Sequence, residues 1–159
     1  MARLWKVSFL FLWVILWGSF FPGVGSTAVN ADGLRPVEES QSFQDYLKKP
    51  QNNLSKLIFA LDYFRNEPVM VRFDEVDYPV LFAYPLGLVY LLTYYKNEEP
   101  EAWIRKNCYR SPTANKVMYF KYPDGSYRQV RETALQLLQE LEAAQEKALK
   151  NHQFEEMKS

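Results

Sequence analysis

The spacing of apolar positions divides the chain into short amphipathic pieces. Phe43, Tyr46 and Leu47 stand at i, i+3 and i+4 and predict a first helix. Pro36 suits its start, Glu38 and Glu39 suit its first turn, where the dipole favours acids, and Pro50 ends it. Leu54, Leu57, Ile58, Leu61 and Phe64 predict a second helix, with Asn53 as its cap and Asn66-Glu67-Pro68 as its stop. From Val69 the period changes to two. Val69, Val71 and Phe73 share one face of a strand, and Met70 and Arg72 share the other. Asp74-Glu75 makes a turn and Val76 to Tyr78 a return strand, and Pro79 either puts that strand at a sheet edge or ends it.

Val80 to Tyr95, VLFAYPLGLVYLLTYY, contains no charged residue. Its regular part reads as a helix from Leu86 to Tyr95. A helix apolar on all sides is either buried centrally or used as a contact surface. Core, apolar interface and membrane contact are therefore three readings of it. Pro85, Gly87 and its length argue against a spanning segment. Glu98-Glu99-Pro100-Glu101 starts another helix, with Trp103 and Ile104 on its apolar side. Asn107 to Asn115, NCYRSPTAN, is a polar loop. In the following KVMYFKYPDGSYRQV, Val117, Tyr119 and Lys121 alternate with Met118, Phe120 and Tyr122. The second, more apolar face should meet the helices. Pro123-Asp124-Gly125 supplies a turn, with Gly125 free to take positive φ. Leu135, Leu138, Leu141, Ala144 and Ala148 form the stripe of a last helix over 131–150, and 151–159 reads as a flexible tail.

The order is ααββααββα. Two hairpins among helices predict an α+β domain, with a small antiparallel sheet and helices packed on one face. This single domain covers 37–150 and follows a polar linker, 32–36.

The N-terminus has a different character. Arg3 and Lys6 precede an uncharged run from Val7 to Phe21, then Pro22-Gly23 and small residues. That layout is a secretory signal peptide over 1–31, with cleavage after Ala28 or Ala31. It predicts an exported protein, periplasmic or extracellular. The alternative is an uncleaved helix that anchors the chain to a membrane, against which the run is short.

Composition narrows the function. The chain has 159 residues, 48% hydrophobic, 24% charged and 16% aromatic, with 19 basic and 19 acidic side chains. Cleavage at Ala31 removes two bases and no acid, so the remaining domain carries a small acidic excess. No basic stripe offers a footprint for nucleic acid. Cys108 is the lone cysteine, so no intrachain disulfide forms, and a buried thiol is the simplest reading. The lone His152 lies in the tail, which removes the imidazole that a Ser or Cys triad needs. One Cys and one His do not make a zinc site. Neither phosphate-binding glycine motif is present. Asp74, Glu75 and Asp77 lack the spacing of a calcium loop and read as a solvated turn. No cofactor is implied, and no enzymatic chemistry.

Two surfaces remain as candidates. One is the polar loop with its approach: Arg105, Asn107, Arg110, Ser111 and Asn115 put many donors on one connection, and the two arginines suit a carboxylate or phosphate. The other is the apolar helix, with Leu88 and Leu92 as contacts for an unknown protein or an apolar ligand. The first implies an anion-binding or enzymatic site, and the second a non-enzymatic binding domain.

Leu61 with Phe64, the Phe73–Tyr78 hairpin, Trp103-Ile104, Lys116 and Pro123-Asp124-Gly125 together resemble the YfeK-like family of small secreted bacterial proteins, a domain of unknown function. The resemblance runs from Leu54 to Leu141 and implies export and an α+β fold. The chain departs from the family in three places. Asp74-Glu75 stands for Asn-Gly, Ala114-Asn115 stands for Ser-Gly with only Ser111 kept in the loop, and Leu86 to Tyr95 is apolar where the family helix is mixed and charged.

Overall fold

The computed structural model describes residues 33–157. The signal-peptide reading falls on residues outside that range. A 3-10 turn, Val37–Glu39, leads into α1, Gln41–Leu47, and α2, Asn53–Arg65. A hairpin of β1, Met70–Phe73, and β2, Val76–Pro79, feeds directly into α3, Val80–Tyr94. Then come α4, Pro100–Asn107, a second hairpin of β3, Tyr119–Lys121, and β4, Tyr127–Gln129, and α5, Val130–Glu156. The sheet order is β2-β1-β3-β4, antiparallel throughout. The fold is therefore α+β in the predicted order, with two hairpins joined through β1 and β3.

Local chemistry explains most boundaries. Ser40 caps α1 by accepting from the Phe43 amide. Asn52, rather than Asn53, caps α2: its side chain accepts from the Ser55 amide, and its own amide donates to Ser55 Oγ. This reciprocal pair satisfies two orphan donors and leaves Asn53 as the first helical residue. Pro100 takes the first position of α4, where no amide hydrogen is needed. Gly125 turns β3 into β4 at φ 84°, as its place in the sequence predicts.

Besides the Asn52 cap, four boundaries differ from the sequence reading. α1 begins at Gln41, and Pro36, Glu38 and Glu39 belong to the 3-10 turn before it, because the extended backbone of Ser40 divides the two. The segment read as a linker carries Leu34 into the core, and Arg35 donates through Nε and its backbone amide to the buried Glu67 carboxylate. α3 begins at Val80, not Leu86, and contains Pro85. Proline forfeits one bond, to the carbonyl four residues back, and here that residue is the exposed Leu81. The last helix continues through the predicted tail to Glu156, extending from the buried stripe of Leu135, Leu138, Leu141 and Ala144.

α2 and α5 form the middle of the molecule. On one side Phe59, Ala60, Tyr63 and Phe64 of α2 meet Phe120 and Tyr122 of β3 and its end, with Leu137 and Leu141 of α5. The Phe64 and Phe120 rings lie 4.4 Å apart. On the other side Leu57 joins Leu91, Trp103, Ile104, Leu135 and Leu138. The helices thus cover one face of the sheet, and the inward residues of β3 are the predicted ones. The opposite face of the sheet is open.

Candidate functional site

α3 is held to the domain by its narrow side. Leu91 is fully buried, Tyr84 donates its hydroxyl to Asp62 at 2.8 Å, and the Arg65 guanidinium stands 4.4 Å from the Tyr84 ring centre. Gly87 permits close approach to α2: a Cβ there would lie 3.4 Å from Leu61. At 100° per residue, Leu81, Phe82, Leu86, Val89 and Leu92 fall on the opposite arc. Each is more than half exposed, and Leu86 reaches 75%. Leu88 lies at the margin, half-buried, and Leu92 sits in the open stripe. The patch is on the order of 600 Å², at the top of the range for the largest apolar patch on a monomer. Val76 and Tyr78 of the edge strand extend the exposed apolar surface at the helix start. Among the described residues no helix is long and apolar enough to cross a membrane.

The polar loop does not stand free. Ser111 is 3% exposed, and its hydroxyl donates to Asp74 Oδ1 at 2.8 Å while accepting from the Ala114 amide. Thr113 donates to Asp74 Oδ2 at 2.8 Å, and Lys116 donates to Glu75 at 2.6 Å. The loop is fastened to the β1–β2 turn, whose Asp74 and Glu75 both take positive φ, 50° and 72°. A two-residue hairpin turn of this hand requires that conformation, and asparagine-glycine adopts it at least cost. Here the contacts across to the loop accompany the less favourable pair.

The predicted loop residues separate into different tasks. Arg110 donates to the Asn115 carbonyl at 2.6 Å, and Asn115 itself bends the loop at φ 55°. Asn107 donates to the Trp103 carbonyl at 2.9 Å, closing the end of α4. Arg105 is exposed on the last turn of α4, where its charge complements the helix dipole. Arg105 and Arg110 share no partner among the described residues. Burial pushes the Cys108 thiol up to about 12, although the residue retains some exposed surface; the desolvation acts on the sulfur.

The open face of the sheet holds a constellation that the sequence reading passed over. Arg72 donates to both carboxylate oxygens of Asp77, at 2.7 and 3.2 Å, and to the Tyr127 hydroxyl at 2.6 Å. Tyr127 and Lys121 donate to Asp77 Oδ2 at 2.9 and 3.1 Å. The Arg72 guanidinium also lies 4.2 Å from the Tyr127 ring centre. Hydrogen bonds from Arg72, Tyr127 and Lys121 hold the Asp77 carboxyl well below the usual carboxylate range against some desolvation. An open hollow of about 450 Å³ beside it is lined by Arg72, Glu75, Lys116, Val117, Tyr119 and Tyr127. A signal for this cluster exists in the sequence. A turn centred on Asp74-Glu75 sets Arg72 opposite Asp77, and period-two alternation puts both on the face away from the helices. The acidic trio Asp74, Glu75 and Asp77 diverges to three different sets of donors. Among the described residues no group of three His, Cys, Asp or Glu is placed to hold a metal ion.

Comparisons of the chain with protein-family models, with curated proteins and with solved structures find no match.

Proposed function

We propose that the chain is an exported, non-enzymatic binding domain whose contact surface is the outer face of α3. The observation that carries this reading is the stripe of five apolar side chains, each more than half exposed, on a helix firmly packed by its other side. Leaving such a stripe in water forfeits hydrophobic stabilisation that a contact would recover. The loop that was the rival candidate has most of its polar groups engaged with the turn and with its own backbone. Export rests on the N-terminal pattern and on the resemblance to the YfeK-like secreted family, and both belong to the proposal.

Shielding in the cell tests it. Leu86→Cys offers a thiol at the most exposed apolar position, and Gln139→Cys offers an exposed control on α5. The reading expects maleimide to label Leu86→Cys slowly in the cell-envelope fraction and rapidly in purified protein. Gln139→Cys should label rapidly in both. Equal labelling of Leu86→Cys in the two preparations overturns the contact surface. N-terminal sequencing of the exported protein tests the compartment: a start at Val29 or Asp32 supports a cleaved signal, and an intact Met1 supports the anchor instead.

A further inference from the structure

We infer that the occupant of the α3 face is a lipid bilayer, with the helix lying in the plane of the headgroup–acyl boundary. This rests on the reading of α3 as the contact surface and deepens it. The face is poor in hydrogen-bonding groups. A protein–protein interface of ordinary size carries about ten direct hydrogen bonds and a polar rim. Here Thr93 is the only polar side chain on the exposed arc, and its hydroxyl donates to the Val89 carbonyl at 2.7 Å on its own helix. That arrangement satisfies the group internally, as a hydrocarbon phase demands and as a protein partner does not.

The start of the helix agrees, where exposed Tyr78 stands just before it. Tyrosine favours the level of the headgroups, with its ring in apolar surroundings and its hydroxyl in water. Fifteen residues rise about 22 Å, less than the ~30 Å of a hydrocarbon core, so α3 suits lying along a bilayer rather than crossing it. The same chain supplies a route to the surface. Residues 7–21 are uncharged and mostly apolar, and only 22–32 separate them from Gly33. If the signal stays uncleaved, that connection extends to at most about 40 Å, so a bilayer that holds the first segment holds α3 within reach; once it is cleaved, the α3 face binds unaided.

Charge makes the inference specific. The exposed arc has no charged residue, and Lys96 beyond its end is followed by Glu98 and Glu99. Attraction to anionic headgroups is therefore absent, and apolar burial alone drives binding. Zwitterionic vesicles should suffice, and added salt should not release the protein.

Spin labelling of the full chain at Leu86→Cys in a Cys108→Ser background tests this, because Cys108 retains some exposed surface. With phosphatidylcholine vesicles, a nitroxide at position 86 should become more accessible to oxygen and less accessible to a water-soluble nickel complex. A label at Gln139→Cys should not change. Adding Val89→Glu and Leu92→Glu should weaken partitioning of position 86 by about a hundredfold or more. Spin–spin broadening between chains without vesicles would identify a second copy as the occupant. It would overturn the lipid inference while leaving α3 a contact surface. A label that stays water-accessible on vesicle-bound protein, or one indifferent to both vesicles and chain concentration, overturns the lipid inference as well. The contact surface itself stands or falls by the maleimide comparison between cell envelope and purified protein.

Discussion

Replacing Asp74 by alanine removes the acceptor of two hydroxyls at once, and the magnitude follows from where those hydroxyls lie. Ser111 is almost fully buried, so its O–H, left without Asp74 Oδ1, costs about 1–3 kcal/mol. Thr113 is exposed and water replaces its lost partner, for about 0.5 kcal/mol or less. The backbone adds a third contribution. At φ 50° a non-glycine residue without a short polar side chain costs about 1 kcal/mol more. Asp74→Ala should therefore destabilise the domain by about 2–4 kcal/mol. Asp74→Gly relieves the backbone and should recover about 1 kcal/mol of that loss. Asp74→Asn keeps an acceptor for Ser111, can donate to the Thr113 oxygen and tolerates positive φ, so its loss should stay near or below about 1 kcal/mol. Urea unfolding at constant slope measures all three. Alanine and asparagine variants both within about 0.5 kcal/mol of the parent would refute the latch and return the loop to the list of free binding groups.

Three further expectations rest on other contacts. Arg35→Ala strands a Glu67 side chain that is only 2% exposed, with the Arg35 amide as its remaining donor from that residue, and should cost about 3 kcal/mol in urea unfolding; adding Glu67→Gln should recover part of it, and strict additivity would show that the pair is not coupled. Asp77 titrates below its unfolded value near 3.9, so its contribution is present above that pH and is lost as pH falls toward the depressed folded value; its carboxyl resonance should remain that of the ionised form at about pH 3.5, and a midpoint near 4 would remove the hydrogen-bonded cluster from the account. Gly87→Ala should stabilise α3 by up to about 1 kcal/mol through helix propensity, since the new methyl meets only the movable end of Leu61 at 3.4 Å; a loss would mean that the α2–α3 approach cannot give.

The legible parts of the fold were those governed by local rules. Phe120 and Tyr122 turn inward because alternation along a strand admits no other choice once the helices lie on one side. Gly125 takes positive φ because the turn requires it. The reading of α2 caught Leu57 and Phe64 but passed over Phe59, Ala60 and Tyr63. A stripe argument assumes one buried face, and α2 lies between two clusters. The start of α3 was misplaced because proline disfavours a helix interior in isolation, whereas a single lost bond on the solvent side is tolerated in a packed helix.

By itself the sequence determined the element order, the inward face of the second hairpin, the turn chemistry and the absence of charge on α3, because these depend on neighbours a few residues apart. Only the tertiary structure decided what each polar and apolar group meets. Ser111 finds Asp74 across 37 positions, and Lys121 finds Asp77 across 44. The same holds for α3. Its composition is apolar on every side, and which side stays outside was fixed by α2, through Asp62, Leu61 and the space at Gly87. Hydrophobicity gives a segment its preference for burial, but a helix can bury only the arc that its neighbours cover, and the rest becomes surface.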